Sequence, residues 1–442
     1  MLKTKKTFSV KDIILYLILT ISTIFFGGII SPTSIILFYI IFLSILLILK
    51  SDFILVTFIV VLFTNGYINR DEYLLGFIGI EQVVNLFALL YILIQGIPKI
   101  EIKKASKNIR IGVQIVIVLF FYTTYISFKN AYFGMNNNTI QSALFTTISF
   151  AIRMFVLVLL LYSLNKKYSV IKTGVFLAFI NLIFFAIFGN YLSFFGFYIS
   201  NIEDAEYSRI GGVIGNGDAN TLGAVMVMFV GFLLSKFENH EWEMNHSLTI
   251  VFAIIASGLS GSRTAFMLLL FVFFLFAMRN LKSVKGLLII LLTATVFSAL
   301  TFAVFDTAIE RLRIAKEEQM TVDSGTSNRI GKWIFYIDEF NKDKITYIRG
   351  SDNLYSVGFK HSYRVAHNFF IQIVYNSGLL FLFLFLRIFY LCFKTNRYLN
   401  NNILYILIPL IGILMFVSDY GSIFPFVLLL GLSKQKVIKY TM

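Results

Sequence analysis

Four side chains, far apart in the chain, are of types that could do chemistry together: Arg209, Arg263, Arg329 and His367. An arginine fork matches phosphate oxygens bidentately and stays charged at any working pH. Several arginines with one imidazole suit a reaction in which a phosphate leaves while an attacking hydroxyl gives up its proton. Polar neighbours stand ready to support them. Asn216 and Asn220 close the run that starts at Arg209 and passes through Gly211, Gly212, Gly215 and Gly217; Ser262 precedes Arg263, and Asn368 follows His367. The glycines would let backbone N–H groups approach an anion at the start of the next helix. Blander readings stand beside these: a turn before a helix for 211–220, an N-cap for Asn368, an interfacial position for any one arginine. Arg263 resists that reading, because it sits in a very short turn between two apolar runs. Other chemistries are excluded. Cys392 is the only cysteine, so neither a disulfide nor a Cys-based metal or redox site can form. The four histidines are scattered, and no metal or cofactor is expected.

Helices in a membrane must position these groups. Of 442 residues, 58% are hydrophobic and 14% charged, and the mean hydropathy is +0.82. A soluble domain carries about 25% charged residues. The chain is therefore expected to be an all-α polytopic integral membrane protein. Apolar runs long enough to span lie near 13–31, 35–49, 52–69, 74–95, 110–128, 145–164, 170–190, 219–235, 247–260, 263–279, 285–305, 369–392, 402–417 and 421–433. Several are short, so 12–14 transmembrane helices are expected. The first run resembles a signal peptide but lacks a cleavage site and reads as a retained anchor.

The net charge of +15 is mainly a topology signal. With the N-terminus in the cytoplasm, 22 of the 38 basic residues fall in cytoplasmic segments and ten in one long outer loop; the short outer loops hold only Arg70, Lys129, Arg209 and Arg263. Spread over many short loops, the lysines form no stripe for nucleic acid. Keeping the last basic segments inside requires an outward break at Gly258–Arg263. All four candidate groups then lie on the outer side.

Three parts follow: 1–305 and 367–442 as membrane domain, and 306–366 as an extracytoplasmic, periplasmic loop. No internal repeat is visible. Within the loop, Ile330, Trp333, Ile334, Ile337 and Phe340 recur at helical spacing. That spacing predicts a short amphipathic helix over 327–341, capped by Thr326 or Ser327. Glu81 and Arg153 fall inside spans and are assigned no catalytic role.

With these pieces in order, the chain resembles the O-antigen ligase and polymerase superfamily, membrane glycosyltransferases of bacterial surface polysaccharides. Arg209 before Gly212–Asn220 is similar to the family's Arg and Gly/Asn stretch. Ser260-Gly-Ser-Arg-Thr264 is similar to its Ser-Arg motif between spans. Ser327-Asn-Arg329 with Trp333 resembles its Arg-then-Trp loop helix. Ala366-His-Asn-Phe-Phe370, followed by Gly378, resembles its His-Asn re-entry. These cover about residues 205–390. In place of the family's compact Gly-x-Gly, this chain has Arg349-Gly350 and then Gly358, to which no role is assigned.

The resemblance implies a GT-C-like, metal-independent enzyme of the bacterial cytoplasmic (inner) membrane, with its active site facing the periplasm. Its donor would be a glycan on undecaprenyl pyrophosphate. Arg209, Arg263 and Arg329 would bind and neutralise the pyrophosphate, and His367 would take the acceptor proton or orient the acceptor. Two products fit the same residues. A polymerase of O-antigen or capsule type transfers the glycan to another lipid-linked repeat unit; an O-antigen ligase moves it to lipid A-core. The lean toward Lys, Ile, Asn and Phe indicates an AT-rich gene, as polysaccharide polymerase genes often are, and favours the polymerase. A chain-length regulator protein would then be a further partner. A flippase or transporter of lipid-linked sugars is the alternative of a different class. It would place its charges near the bilayer midplane, around Glu81 and Arg153.

Overall fold

The computed structural model describes residues 10–24, 32–63, 79–95, 105–132, 139–193, 201–204, 207–210, 219–238, 244–280, 329–342, 344–351, 368–399, 403–416 and 423–433, with single positions 284, 287, 291 and 295. They are almost wholly helical, as expected. Five helices are long and apolar enough to cross a bilayer: Lys107–Tyr132, Ile140–Tyr162, Lys166–Phe188, Ala219–Lys236 and Arg263–Asn280. One of them, Ala219–Lys236, is almost wholly buried, and the free faces of the other four carry large apolar side chains. The helix Arg263–Asn280 buries Ala265, Leu269, Val272 and Phe276 while exposing Met267, Phe271, Phe274 and Met278. A helix apolar all round is solvated by lipid on its free side. The protein is membrane-embedded.

The chain forms two compact units, Met1–Ala105 with Phe155–Leu222, and Ser106–Met154 with Gly223–Met442. The first contains α1 (Val10–Ile24), α2 (Pro32–Ile48), α3 (Phe53–Phe63), α4 (Ile80–Gln95) and α7 (Leu164–Ser193). The helix α6 (Ile140–Tyr162) is shared between the two units. All of α3 is buried. It runs parallel to α7: Asp52 pairs with Lys167, Gly174 takes Ile59 against its backbone, and Phe63 meets Phe179 edge-on at 5.2 Å. Glu81, expected inside a span, stands in the first turn of α4, where the helix dipole favours a carboxylate. The strand pair among the described residues is the hairpin of β1 (Asn201–Asp204) and β2 (Tyr207–Ile210).

The second unit contains α5 (Lys107–Tyr132), α8 (Ala219–Glu238, entering at Gly223), α9 (Met244–Leu259), α10 (Arg263–Asn280) and α11 (Arg329–Lys342). Next come α12 (Thr346–Arg349), α13 (Phe369–Ser377), α14 (Leu379–Leu399), α15 (Leu404–Phe416) and α16 (Ile423–Leu432). Helices α8 and α10 run parallel, because Gly223 lies against Ser260 and Ala265 while Gly231 and Phe276 both reach Tyr405. Helix α15 runs against them: Gly412 packs on Leu268 near the start of α10. Pro409 stands inside α15 and has no N–H to offer the carbonyl of Tyr405. That carbonyl abuts Gly231 of α8 so closely that a Cβ there would collide with it.

The span expected over 369–392 is two helices, not one. Gly378 (φ 81°, ψ −178°) ends α13 in a conformation essentially reserved for glycine. The chain then folds back. Phe369 and Phe385 meet at 5.4 Å between ring centroids, whereas a continuous helix would hold them about 24 Å apart. Helix α13, with nine residues, is about 13 Å long, roughly half a hydrocarbon core. Sequence periodicity could not distinguish this V from a single span, because both arms are apolar.

The turn of the V is held by a second glycine. Gly350 (φ 78°, ψ 171°) closes α12. A Cβ on Gly350 would lie 2.5 Å from the backbone of Asn376, and one on Gly378 would strike the carbonyl of Ile348. The two backbones cross in direct contact, with Ser351 N–H donating to the Tyr375 carbonyl at 2.7 Å. Lys129 near the end of α5, buried, donates to the carbonyls of Arg349 (3.2 Å) and Asn376 (3.0 Å), and the Tyr125 hydroxyl also donates to Arg349.

The amphipathic loop helix is present as α11, but its packed face differs in part from the expected one. Tyr336 and Phe340 are buried on α13, where Tyr336 meets Tyr375 at 4.6 Å, whereas Ile334 and Ile337 are exposed. Aromatic rings fill the space over the short α13 better than β-branched side chains, and the isoleucines fall on the free side.

Gly378→Ala is expected to destabilise the protein by about 2–4 kcal/mol, since it forces both a disallowed φ and a backbone collision. The measurement is thermal unfolding in detergent against the unaltered protein. An unchanged midpoint would mean that the V is not built on this residue.

Candidate functional site

The Ser-Arg turn is the best-defined part of the candidate site. Helix α9 ends at Leu259, Gly261 turns the chain with φ 57°, and α10 starts at Arg263. Ser262 is the N-cap: its hydroxyl accepts from Ala265 N–H at 3.3 Å. Ser260 Oγ donates to the Ser257 carbonyl at 2.6 Å and accepts from Ser262 N–H at 3.3 Å. Ser257 Oγ reaches across to the Gly223 carbonyl at 3.3 Å. The three serines are fully buried, while Arg263 is half-exposed. The serine hydroxyls therefore build the turn, and Arg263 is left at its rim. A first helical turn normally prefers acidic side chains. This one has none and adds a guanidinium to the positive helix end.

Helix α8 is drawn onto the same turn by Gly223. Any side chain there would press on Ser260 Oγ (2.5 Å) and Ala265 Cβ (2.7 Å). Since α8 and α10 are parallel, their positive ends point the same way. At the opposite end, Lys236 lies over Phe232 at 5.1 Å and Arg279 over Tyr405 at 5.2 Å. Arg263 thus stands at one end of this group of helices, and the two residues assigned to the cytoplasm stand at the other.

The loop helix is laid on the C-terminal half of α13, with Tyr336 and Phe340 against Val374 and Tyr375. Helix α11, whose first residue is Arg329, packs across α13, whose N-cap is Asn368. Asn368 Oδ1 accepts from Phe370 N–H (3.0 Å) and Ile371 N–H (3.1 Å), so its carboxamide oxygen is spent on capping. It is buried, and its helix starts level with Phe385 and Tyr122, well down α5 from Lys129. Helix α13 therefore starts below the level at which the V turns.

The remaining candidates are placed only along the chain. Arg209 lies on β2, paired with Ile202, in the other unit from Arg263 and Arg329. Asn220 is in the first turn of α8. Asn216 and His367 lie outside the described residues. Arg153 is buried within α6, with its guanidinium 5.6 Å from the Phe150 ring. Among the described residues no group of three or more His, Cys, Asp or Glu could hold a metal ion.

Sequence reasoning missed the supporting residues Gly223, Ser257, Lys129, Tyr125 and Gly350. Lys129 carried a signal: it is one of four basic residues in the short outer segments. Gly223 and Ser257 carried none that separates them from other small residues in apolar helices.

Neither a protein-family model, nor a curated protein, nor a solved structure matches this chain.

Gly223→Ala should cost about 1–3 kcal/mol by forcing α8 off the turn. Adding Ser260→Gly, which removes the hydroxyl in the way, should restore part of the loss. Unfolding midpoints of the single and double variants give the answer; equal losses in both would break the assigned packing.

Proposed function

We propose that the chain is a membrane glycosyltransferase, a polysaccharide polymerase of O-antigen or capsule type. It joins a glycan carried on undecaprenyl pyrophosphate to a sugar hydroxyl of another lipid-linked repeat unit. The acceptor oxygen bonds to the donor's anomeric carbon, the bond to the pyrophosphate breaks, and the hydroxyl proton passes to a base. In this reading Arg263 and Arg209 neutralise the departing pyrophosphate, Arg329 assists, and His367 takes the proton or orients the acceptor. Asn216, Asn220, Ser262 and Asn368 support them; no metal takes part.

The observation that favours this reading is the common direction of α8 and α10. Both helices turn their positive ends the same way, and the first turn of α10, which has no acidic side chain, adds its positive potential to the Arg263 charge. Beside lipid such a field is weakly screened and stabilises a developing diphosphate charge strongly. The four motifs, in the family's order, support the same reading. Placement of α11 on α13 supports it too, since it joins the loop segment that begins at Arg329 to the helix that follows the His-Asn motif.

Incubation of the purified protein with defined lipid-linked repeat units should give a ladder of products. Turnover only when lipid A-core is added would make it a ligase, and movement of intact lipid-linked sugars without bond formation would make it a flippase. Arg263→Ala and Arg209→Ala should abolish long chains while the protein still inserts. Arg263→Lys should rescue only partly, because lysine lacks the bidentate fork. His367→Ala should be severe, and exhaustive chelation should leave activity intact. Full-length chains from Arg263→Ala would remove the leaving-group assignment.

A further inference from the structure

The first unit holds a cavity of about 210 Å³ that the proposed reaction does not use. Its walls are Leu55, Ile92, Leu159 and Leu160; its polar rim is Tyr91, Gln95, Ser163, Lys166 and Lys167. Three chain segments meet here: the start of α3, the end of α4 and the α6–α7 corner. The charged residues that line the cavity, Lys166 and Lys167, are both cationic and stand at one end, the end that the lysine distribution assigns to the cytoplasm. Lys167 interrupts α7 (φ −110°, ψ 23°) and is held by Asp52 at 2.6 Å, while the Tyr91 hydroxyl donates to the same carboxylate oxygen. Asp52 is thereby committed to Lys167 and Tyr91. Lys166 is exposed at the mouth, without a carboxylate partner among the described residues.

We propose that this cavity is a binding site for an anionic phospholipid of the leaflet at that end. Lys166 and the Gln95 amide meet the phosphate, and the start of an acyl chain lies against Leu55, Ile92, Leu159 and Leu160. The chemistry selects this occupant. A soluble anion would have no use for four apolar walls, and an uncharged lipid would leave Lys166 unanswered. Lysine, a point charge on a flexible stem, suits a head group whose depth varies. The Asp52–Lys167–Tyr91 group fixes the floor of the site, because α3, α4 and α7 are all tied to it.

Native mass spectrometry of the full chain, released from detergent after incubation with phosphatidylglycerol or phosphatidylcholine of identical chains, tests this without any measure of transfer activity. One phosphatidylglycerol per chain should be retained in preference to phosphatidylcholine. Lys166→Gln should lower that retention about fivefold, the share of one lysine at an anionic surface. Lys342→Gln, elsewhere in the chain, should not. Leu160→Trp, which fills the cavity and leaves its charge intact, should also expel the lipid; an unchanged unfolding midpoint would show that both variants are folded. Equal retention of the two lipids, or undiminished retention in Lys166→Gln, overturns the proposal. So does displacement of the lipid by millimolar inorganic phosphate, which would make this a site for the free anion.

Discussion

Two glycine backbones in contact hold the candidate site's half of the molecule in shape. Gly350 and Gly378 both adopt φ near 80°, and each lies where the other's segment leaves no room for a side chain. Contact this close would leave enclosed carbonyls without donors. Lys129 answers that need, reaching in from α5 to two of those carbonyls at once. Its charge is the cost of burial, and the carbonyl dipoles offset it. Everything downstream follows from this junction: the reversal at the end of α13, the packing of α11 over it, and the depth from which α13 starts.

The Ser-Arg turn works by the opposite means. There the backbone is satisfied by hydroxyls, small enough to sit between helices without parting them. Three buried serines and one glycine bring α8, α9 and α10 together and leave the guanidinium of Arg263 at the edge. Division of labour between small residues that shape and a long cation that acts is economical in lipid. Any larger polar group in the turn would need partners of its own.

Composition and charge made the helical membrane class legible, because a bilayer permits few other ways to satisfy a backbone. The break at Gly258–Arg263 was legible too, from the positions of basic residues farther along. The V at Gly378 was not, since a fold-back and a straight span bury the same leucines and phenylalanines and differ only in one dihedral angle. Nor was the packed face of α11: helical spacing marked Ile334 and Ile337, but the partner surface on α13 selected Tyr336 and Phe340. Arg263 does stand at a tight turn between two apolar helices, as its place between two apolar runs led one to expect. Ser262 was noted beside it, but that Ser257, Ser260 and Ser262 together build the turn was not legible.

Pro409 separates the first turn of α15 from the rest of that helix at the rung where Tyr405 would accept. The turn is instead fastened sideways, its carbonyl against Gly231 and its ring between Phe276 and Arg279. Beyond the proline the helix stays on the same partner, since Gly412 packs on Leu268 of α10. The rung that the proline removes is thus made good by neighbouring helices on both sides of it.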